Sequence, residues 1–188
     1  QLVVIPGIAT VAQTVMNLPI LGARVRIERL EPTHAQAVVA YRALPAVQRF
    51  QAGGLGSLDD VHALGTSQLS RLPLETPGWF QLAILVDGNV VGDIGLHAVD
   101  GEQVEFGITL APAFQGNGYA REALRATLDA VLAVRHRVFA SVDPRNTPCI
   151  ALLKHLGLRQ EAHHRESIRD GDGWADDVVY AVLAKEWT

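Results

Sequence analysis

Cysteine, methionine and aromatic side chains are scarce in this chain of 188 residues. It has one cysteine, Cys149, and one methionine, and its aromatic fraction is 6%. A single cysteine excludes an intrachain disulfide and any cysteine-rich metal site. The chain is nevertheless long enough to bury a full core without such links. We therefore expect a globular protein of a reducing, cytoplasmic compartment.

Positive charge is not in excess either. The chain has 16 Lys and Arg against 20 Asp and Glu, a formal net charge of -4. Proteins that bind nucleic acid usually present a clearly basic surface, so the balance argues against such a partner. Two adjacent histidines, His163 and His164, do not indicate a metal site, because neighbouring strand residues point to opposite faces. We expect no metal.

Residues 1–21 are mostly apolar and carry no charge. Pro6 and Gly7 interrupt them, and the unbroken apolar stretch is far shorter than the roughly 20 residues that span a bilayer. No basic segment precedes them, as it would in a signal peptide. We predict no membrane partner and interpret residues 1–21 as an apolar N-terminal extension of a domain at 22–188. It would pack on a neighbouring subunit, in a homodimer, or on its own domain. Met16 is also a candidate initiator, which would make residues 1–15 an upstream addition.

Hydrophobic periodicity predicts a mixture of strands and helices. Asp87-Gly88-Asn89 is typical of a hairpin turn. Thr33 and Thr147 are expected helix caps. A helix between the strands at 104–110 and 137–142 implies that these two run parallel. The predicted strands are 25–30, 79–86, 90–99, 104–110, 137–142, 158–169 and 174–183, and the predicted helices are 33–43, 57–71, 119–132 and 147–157.

The stretch 103–132 is a strand, a glycine-rich turn and a helix. Unpaired backbone N–H groups and the dipole at a helix N-terminus bind phosphate without basic side chains. Gly116 and Gly118 let the backbone approach such a ligand closely. Their spacing matches neither a nucleotide P-loop nor a dinucleotide fold. We predict a pyrophosphate-binding turn, with a plain strand-turn-helix corner as the alternative.

This turn, Gln115-x-x-Gly118-x-Ala120, resembles the Q/R-x-x-G-x-G/A signature of the GNAT N-acetyltransferases. Residues 143–158 resemble the D-P-x-N-x-x-S-x-x-x-L-x-K-x-G-F block of its RimJ/RimL branch, and the whole resemblance covers residues 24–187. It implies an α/β (α+β) GNAT fold, with a mixed, mostly antiparallel sheet of about seven strands splayed at a central parallel pair and flanked by about four helices.

The resemblance also implies a site for acetyl-CoA. In this family the loop holds the pyrophosphate, and free backbone groups of the splayed strand pair with the pantetheine arm. The implied contacts are Ile108, Thr109, Leu110, Gln115, Gly116, Asn117, Gly118, Tyr119, Ala120 and Asn146. For Asn146 the alternative is a turn residue.

Glu105 is the candidate general base. Acids are unexpected beside the apolar Val104 and Phe106 unless they face a cleft, where burial helps a carboxylate to accept a proton. Members of the RimJ/RimL branch carry a glutamate here that is proposed to deprotonate the acceptor ammonium, often through water. The alternative is a solvent-facing or ion-paired glutamate on the outer face of the strand.

The general acid is less well defined. Many GNAT enzymes place a tyrosine where this chain has Leu153, so that role cannot be transferred. The RimJ/RimL branch has a serine where this chain has Cys149. A thiol can in principle protonate a leaving thiolate of similar acidity. The alternative is that Cys149 is a small packing residue and that solvent supplies the proton.

Together these features predict an N-acetyltransferase that transfers acetyl from acetyl-CoA to a primary amine by direct attack in a ternary complex. The acceptor is either the α-amine of a protein N-terminus, as the RimJ/RimL resemblance suggests, or a small-molecule amine. The alternative class is a GNAT-fold module that binds acyl-CoA as a sensor and has little or no turnover, because it lacks the tyrosine and the serine.

Overall fold

Eight strands form one continuous sheet, with helices on both of its faces. The computed structural model describes residues 16–51, 54–75 and 78–188. Within these ranges the strands are β1 (Ile20–Leu21), β2 (Arg26–Arg29), β3 (Gly78–Val86), β4 (Asn89–Ala98), β5 (Gln103–Leu110), β6 (Arg137–Val142), β7 (Arg159–Asp170) and β8 (Gly173–Leu183). The helices are α1 (Ala35–Arg42), α2 (Pro45–Gln48), α3 (Leu58–Gln68), α4 (Tyr119–Leu132) and α5 (Thr147–His155).

The sheet has the strand order β1-β2-β3-β4-β5-β6-β8-β7. Its one parallel pair is β5–β6, and every other neighbouring pair is antiparallel. Helix α4 connects β5 to β6 as the crossover that parallel strands require. The predicted fold class, a mixed sheet with a central parallel pair, is confirmed.

Strand β1 lies within the segment that we interpret as an N-terminal extension. Ile20 pairs with Ile27 of β2, and Met16 is 4% exposed within the main core. This end of the segment therefore packs on its own domain. Residues 1–15 lie outside the described residues, so their packing and the boundary at residue 22 stay predictions.

Both predicted threonine caps are wrong by one or two residues. Asn146 is the N-cap of α5, because its side-chain oxygen accepts the Cys149 N–H at 3.3 Å, and Thr147 is the first helical residue. Near residue 33 the chain first forms a short 3₁₀ turn that begins after Glu31, and α1 follows it. Several polar residues compete for each cap, and sequence pattern does not rank them.

Two clusters of apolar side chains cover the faces of the sheet. The larger one joins inward-facing residues of β2–β6 and β8 to the apolar stripe of α4, whose Leu124 and Leu128 are fully buried. Leu153 of α5 belongs to the same cluster. The smaller cluster lies under α1 and α3 and includes Val38 and Val61. The layer formed by α1 and α3 therefore covers one end of the opposite face.

A buried carboxylate fastens α1 to the sheet. Asp93 of β4 is 1% exposed and accepts hydrogen bonds from Tyr41, Arg42 and Gln81. Burial and the charge of Asp93 raise the pKa of the Tyr41 hydroxyl, so it remains a donor. Burial opposes the charge on Arg42, but Asp93 outweighs it and the pKa of the guanidinium is raised. The ion pair between Arg42 and Asp93 is thus largely removed from water.

Strand β7 forms one edge of the sheet. Most of its twelve residues are exposed, and its pairing with β8 shifts register between Gln160 and Ala162 and again between His164 and Ile168. Glu166, within the second shift, has a left-handed backbone at φ 47°. The edge is therefore bent twice along its length.

Removal of the Asp93 charge should destabilise the fold strongly. Asp93→Asn leaves Arg42 buried without a counter-charge, so the free energy of unfolding should fall by about 3–5 kcal/mol. Asp170→Asn is the matched control, because that carboxylate is half-exposed in its pair with Arg145, and exposed pairs contribute about 0–1 kcal/mol. Urea unfolding of both variants measures the difference. Equal losses would show that the buried pair is not what anchors α1.

Candidate active site

The parallel pairing of β5 and β6 ends after three residue pairs. Gln103, Val104 and Glu105 lie opposite Arg137, Val138 and Phe139, and the ladder stops there. Beyond this point β5 remains paired with β4 as far as Leu110, while β6 remains paired with β8 as far as Val142. The two strands therefore diverge, with Glu105 at the apex and the backbone of residues 106–110 along one side of the opening.

The glycine-rich turn lies at the far end of β5. Gly116 and Gly118 have left-handed backbones, at φ 77° and 82°, a conformation that favours glycine. Gly118 is the N-cap of α4, and no side chain caps that helix. Its first N–H groups therefore lack intrahelical partners, as an anion site at a helix N-terminus requires.

Two polar side chains of this turn brace it from within. Gln115 donates from its amide to the Leu110 carbonyl at 2.9 Å. Asn117 donates to the Gln115 carbonyl at 3.1 Å and, more weakly, to the Phe114 carbonyl at 3.4 Å. These contacts fix the turn against the end of β5. The backbone N–H groups of the turn, rather than these side chains, are therefore the candidates to bind a ligand.

Arg24 and Glu122 form a second brace, which sequence reasoning missed. The Glu122 carboxylate accepts the N–H groups of Arg24 and Val25 and the Arg24 guanidinium, which also donates to the Asn117 carbonyl at 3.0 Å. Burial acts to raise the pKa of Glu122, but these hydrogen bonds outweigh it and lower the pKa. Arg24 also lies over the Tyr119 ring at 4.7 Å. The acid in the first turn of α4 is thereby neutralised beside the predicted phosphate site.

Glu105 projects from the sheet face opposite the main core, and 26% of its side chain is exposed. Its carboxylate lies 3.2 Å from Nδ1 of His97, its cross-strand partner on β4. The His97 ring stacks on Trp79 with ring centroids 5.2 Å apart. The structure thus places Glu105 in a partly exposed cluster with the His97 imidazole and the Trp79 indole. His97 reaches this cluster through the pairing register of β4 and β5.

Thr109 connects this face of β5 to the α1 layer. Its hydroxyl accepts a hydrogen bond from Gln51 at 2.7 Å and lies 3.4 Å from the Arg42 guanidinium. Gln51 in turn accepts from Arg42 at 3.0 Å. The Thr109 side chain is therefore committed to the buried network around Asp93. The contact that we predict between Thr109 and pantetheine would therefore involve the Thr109 backbone.

Asn146 and Cys149 lie together at the start of α5. The cap occupies the side-chain oxygen of Asn146, which leaves its amide nitrogen for the predicted contact with pantetheine. Cys149 packs against the main core, and burial raises the pKa of its thiol to about 11. Leu153, at the position where other GNAT enzymes carry tyrosine, is 1% exposed. The sequence pattern alone did not indicate that Asn146 is the cap.

A cavity lies next to the glycine-rich turn. This cavity of about 470 Å³ at the turns of β1–β2 and β3–β4 is lined by residues 22–26, 85–88 and Tyr119. Of the predicted loop it includes Tyr119 alone. Among the described residues, no three His, Cys, Asp or Glu side chains are grouped as a metal ion needs, and no helix has the length and apolarity to cross a bilayer.

A mixed sheet that splits at one parallel pair, with a glycine turn opening a helix at the split, is the architecture of the GNAT acetyltransferases. The chain belongs to this family: residues 24–159 match the model of the acetyltransferase (GNAT) domain. It is accordingly an acetyl-CoA-dependent N-acetyltransferase by enzyme class.

Relatives that match most of the chain are distant in sequence. The chain is 28% identical over 167 residues to an uncharacterized N-acetyltransferase, YnaD, of Bacillus subtilis (strain 168), covering 87% of this chain and 96% of that one. An acetyltransferase (GNAT family) from Bacillus anthracis superposes with a TM-score of 0.79 at 25% identity over 90% and 100% of the two chains. Mycobacterium smegmatis RimJ in complex with CoA-disulfide gives 0.74 at 22% identity over 86% and 83%.

The buried thiol should make stability depend on alkaline pH. Folding raises the pKa of Cys149 from 9.0 to about 11, so its contribution is complete below pH 9 and is lost as the pH rises through 11. The free energy of unfolding of the parent protein should therefore fall relative to Cys149→Ala across this window. Urea titrations at pH 7 to 11 measure it. Parallel curves would contradict burial of the thiol.

The same variant separates the two roles of Cys149. If Cys149 is a packing residue, Cys149→Ala should lose about 1 kcal/mol of stability near neutral pH, and its turnover should remain within threefold of that of the parent protein. If Cys149 is the general acid, Cys149→Ala should lower turnover by about 10²-fold, and Cys149→Ser should retain it.

Proposed function

We propose that this protein transfers acetyl from acetyl-CoA to a primary amine by direct attack in a ternary complex. The acceptor would be a protein N-terminal α-amine or a small-molecule amine. The observation that carries the proposal is the end of the parallel ladder at Glu105. It leaves an opening with a carboxylate at its apex, a strand backbone along its side and, at its far end, a helix N-terminus that no side chain caps.

The opening matches the parts of acetyl-CoA in order. From Glu105 to Leu110 the strand rises about 17 Å, at 3.4 Å per residue. The backbone of Ile108, Thr109 and Leu110 would pair with the amides of pantetheine, with Asn146 contributing its side-chain amide. The N–H groups of residues 116–120 would bind the pyrophosphate. The M. smegmatis RimJ structure, which contains a CoA-disulfide, supports such a site in this fold.

Glu105 would activate the acceptor. An alkylamine is almost wholly protonated at neutral pH, and its nitrogen cannot attack until one proton leaves. In the proposed reaction Glu105 takes that proton, directly or through water. The neutral nitrogen then bonds to the thioester carbon, the C–S bond breaks, and a second nitrogen proton passes through water to the leaving thiolate. The products are the amide and CoA.

In this scheme Cys149 has a structural role and not a catalytic one. A thiol with a pKa of about 11 gives up its proton less readily than one of ordinary acidity, so it is a weak donor to a thiolate. We therefore propose that Cys149 packs against the core at the start of α5. The cytoplasmic location and homodimer that we propose depend on the single cysteine and on the apolar residues 1–21.

The first test concerns the loop. Gly116→Ala should weaken acetyl-CoA binding at least tenfold, because its added Cβ enters open space beside the turn, with no atom of this chain within 4 Å. Gly171→Ala is the matched control: it is also left-handed, also open, and lies in the β7–β8 turn. Both variants should lose about 1–2 kcal/mol of stability from backbone strain. Calorimetric titration with acetyl-CoA distinguishes them, and equal affinities would show that the loop is not the phosphate site.

The second test concerns the base. Glu105→Gln should lower kcat by about 10²- to 10³-fold with acetyl-CoA affinity unchanged. Raising the pH should partly rescue it, because solvent then deprotonates the amine. Glu102→Gln, just before the same strand, is the control. The measurement is a pH-rate profile with an amine found by screening for CoA release, and profiles within threefold would remove Glu105 as the base. Tight acetyl-CoA binding with no release for any amine would instead identify an acyl-CoA-binding module.

A further inference from the structure

Gly107 leaves a gap in the side chains of β5 beside Glu105. Glu105, Gly107 and Thr109 project from one face of the strand, because alternate residues share a face. A Cβ built on Gly107 meets no atom within 4 Å, and its backbone is not left-handed. Nothing in the described structure therefore requires glycine there. The position is bare and open, in a strand where glycine lowers stability.

A side chain covers Gly95, the residue opposite Gly107, and forms one wall of the gap. Gly95 is the Cα partner of Gly107 on β4. A Cβ on Gly95 would lie 2.9 Å from the Trp79 ring and 3.0 Å from the Gln81 amide oxygen. Trp79 thus lies across Gly95 and stops short of Gly107. The notch at Gly107 is bounded by Trp79 on one side and by Glu105 and Thr109 along the strand.

The side chains around the notch favour the binding of a group with a single positive charge. Trp79 is 44% exposed and stacked on His97, and an indole beside a carboxylate attracts an ammonium group through its ring as well as through the charge. On this face of β3–β6 there are two carboxylates, Asp93 and Glu105. Asp93 is neutralised by Arg42. The face therefore offers one carboxylate that no arginine neutralises, Glu105, which is in contact with His97.

The size of the notch limits the amine. Glu105 and Thr109 each lie about 7 Å from Gly107 along the strand, so the space between their side chains is that of one missing side chain. A CH₂–NH₃⁺ group enters such a space. A carbon that bears two further substituents is wider than the one side chain that is missing.

We propose that Gly107 is the specificity-determining residue of the acceptor site, where the notch seats a singly charged primary amine on an unbranched carbon. The inference rests on the proposed acetyl transfer, which it extends by naming the class of acceptor. The divergence of β5 and β6 leaves the notch open on the side where acetyl-CoA would lie. An amine seated at Gly107 is then between Glu105 and the thioester.

The test uses Gly107→Ala and Gly107→Val with n-propylamine and tert-butylamine as acceptors. Gly101→Val is the control, because Gly101 is also open and not left-handed but lies in the turn before β5. For n-propylamine, kcat/KM should fall about tenfold in the alanine variant and 10²-fold in the valine variant. The change should lie mainly in KM, with acetyl-CoA affinity within twofold. The parent protein should prefer n-propylamine to tert-butylamine by at least 10²-fold.

A binding readout keeps the inference separate from turnover. The indole N–H resonance of Trp79, assigned with Trp79→Phe, should shift when n-propylamine is titrated into the protein with CoA present. Those of Trp174 and Trp187 should not. The shift should disappear in Gly107→Val, or in Gly107→Ala if the valine variant does not fold. A stationary Trp79 resonance, or an unchanged response in the variants, overturns the inference. A Trp79 shift that is lost in the variants, without acetylation of any amine, supports the seat and refutes the proposed transfer.

Discussion

The early end of the β5–β6 ladder is the constraint on which the site depends. Two strands that pair for three residues and then separate leave backbone donors and acceptors of β5 facing a gap, and such groups are costly when they are buried without partners. The chain satisfies one of them itself, since Gln115 donates to the Leu110 carbonyl. A ligand with amide groups of its own can satisfy others. The splay therefore creates the opening and, in the proposed site, would favour a strand-like occupant such as pantetheine.

The buried Asp93 network holds the opposite side of the site in place. It joins α1, β3 and β4 through one carboxylate, and through Gln51 and Arg42 it reaches Thr109 on the splayed strand. Charges out of water hold their partners in a narrow geometry, because any displacement leaves one of them unpaired. Hydrogen bonds thus connect the helical layer to the strand that would bind pantetheine. His97 and Glu105 stand just outside this network, where the face becomes accessible.

The fold was predictable because its signals are local, and much of the site was not because its contacts are distant. The hairpin turn at Asp87-Gly88-Asn89 and the apolar stripe of α4 each lie within a short window of sequence. Strand β1, two residues long, and α2, one turn long, have too few residues for periodicity to reveal. The contact between His97 and Glu105 depends on the register of β4 against β5. The bonds to Asp93 from α1 span about 50 residues. Neither relation is visible in composition or spacing.

The charged and twice-bent edge at β7 has a consequence for how copies of this protein can meet. An exposed strand normally offers its free backbone groups to another strand, which is a common route to aggregation and to dimers that share one sheet. Register shifts break the straight row of donors and acceptors that such pairing needs, and the charged side chains of β7 keep this edge solvated. Continuation of the sheet across β7 is therefore disfavoured. Self-association of this acetyltransferase is expected to use helices, loops or the β1 end instead.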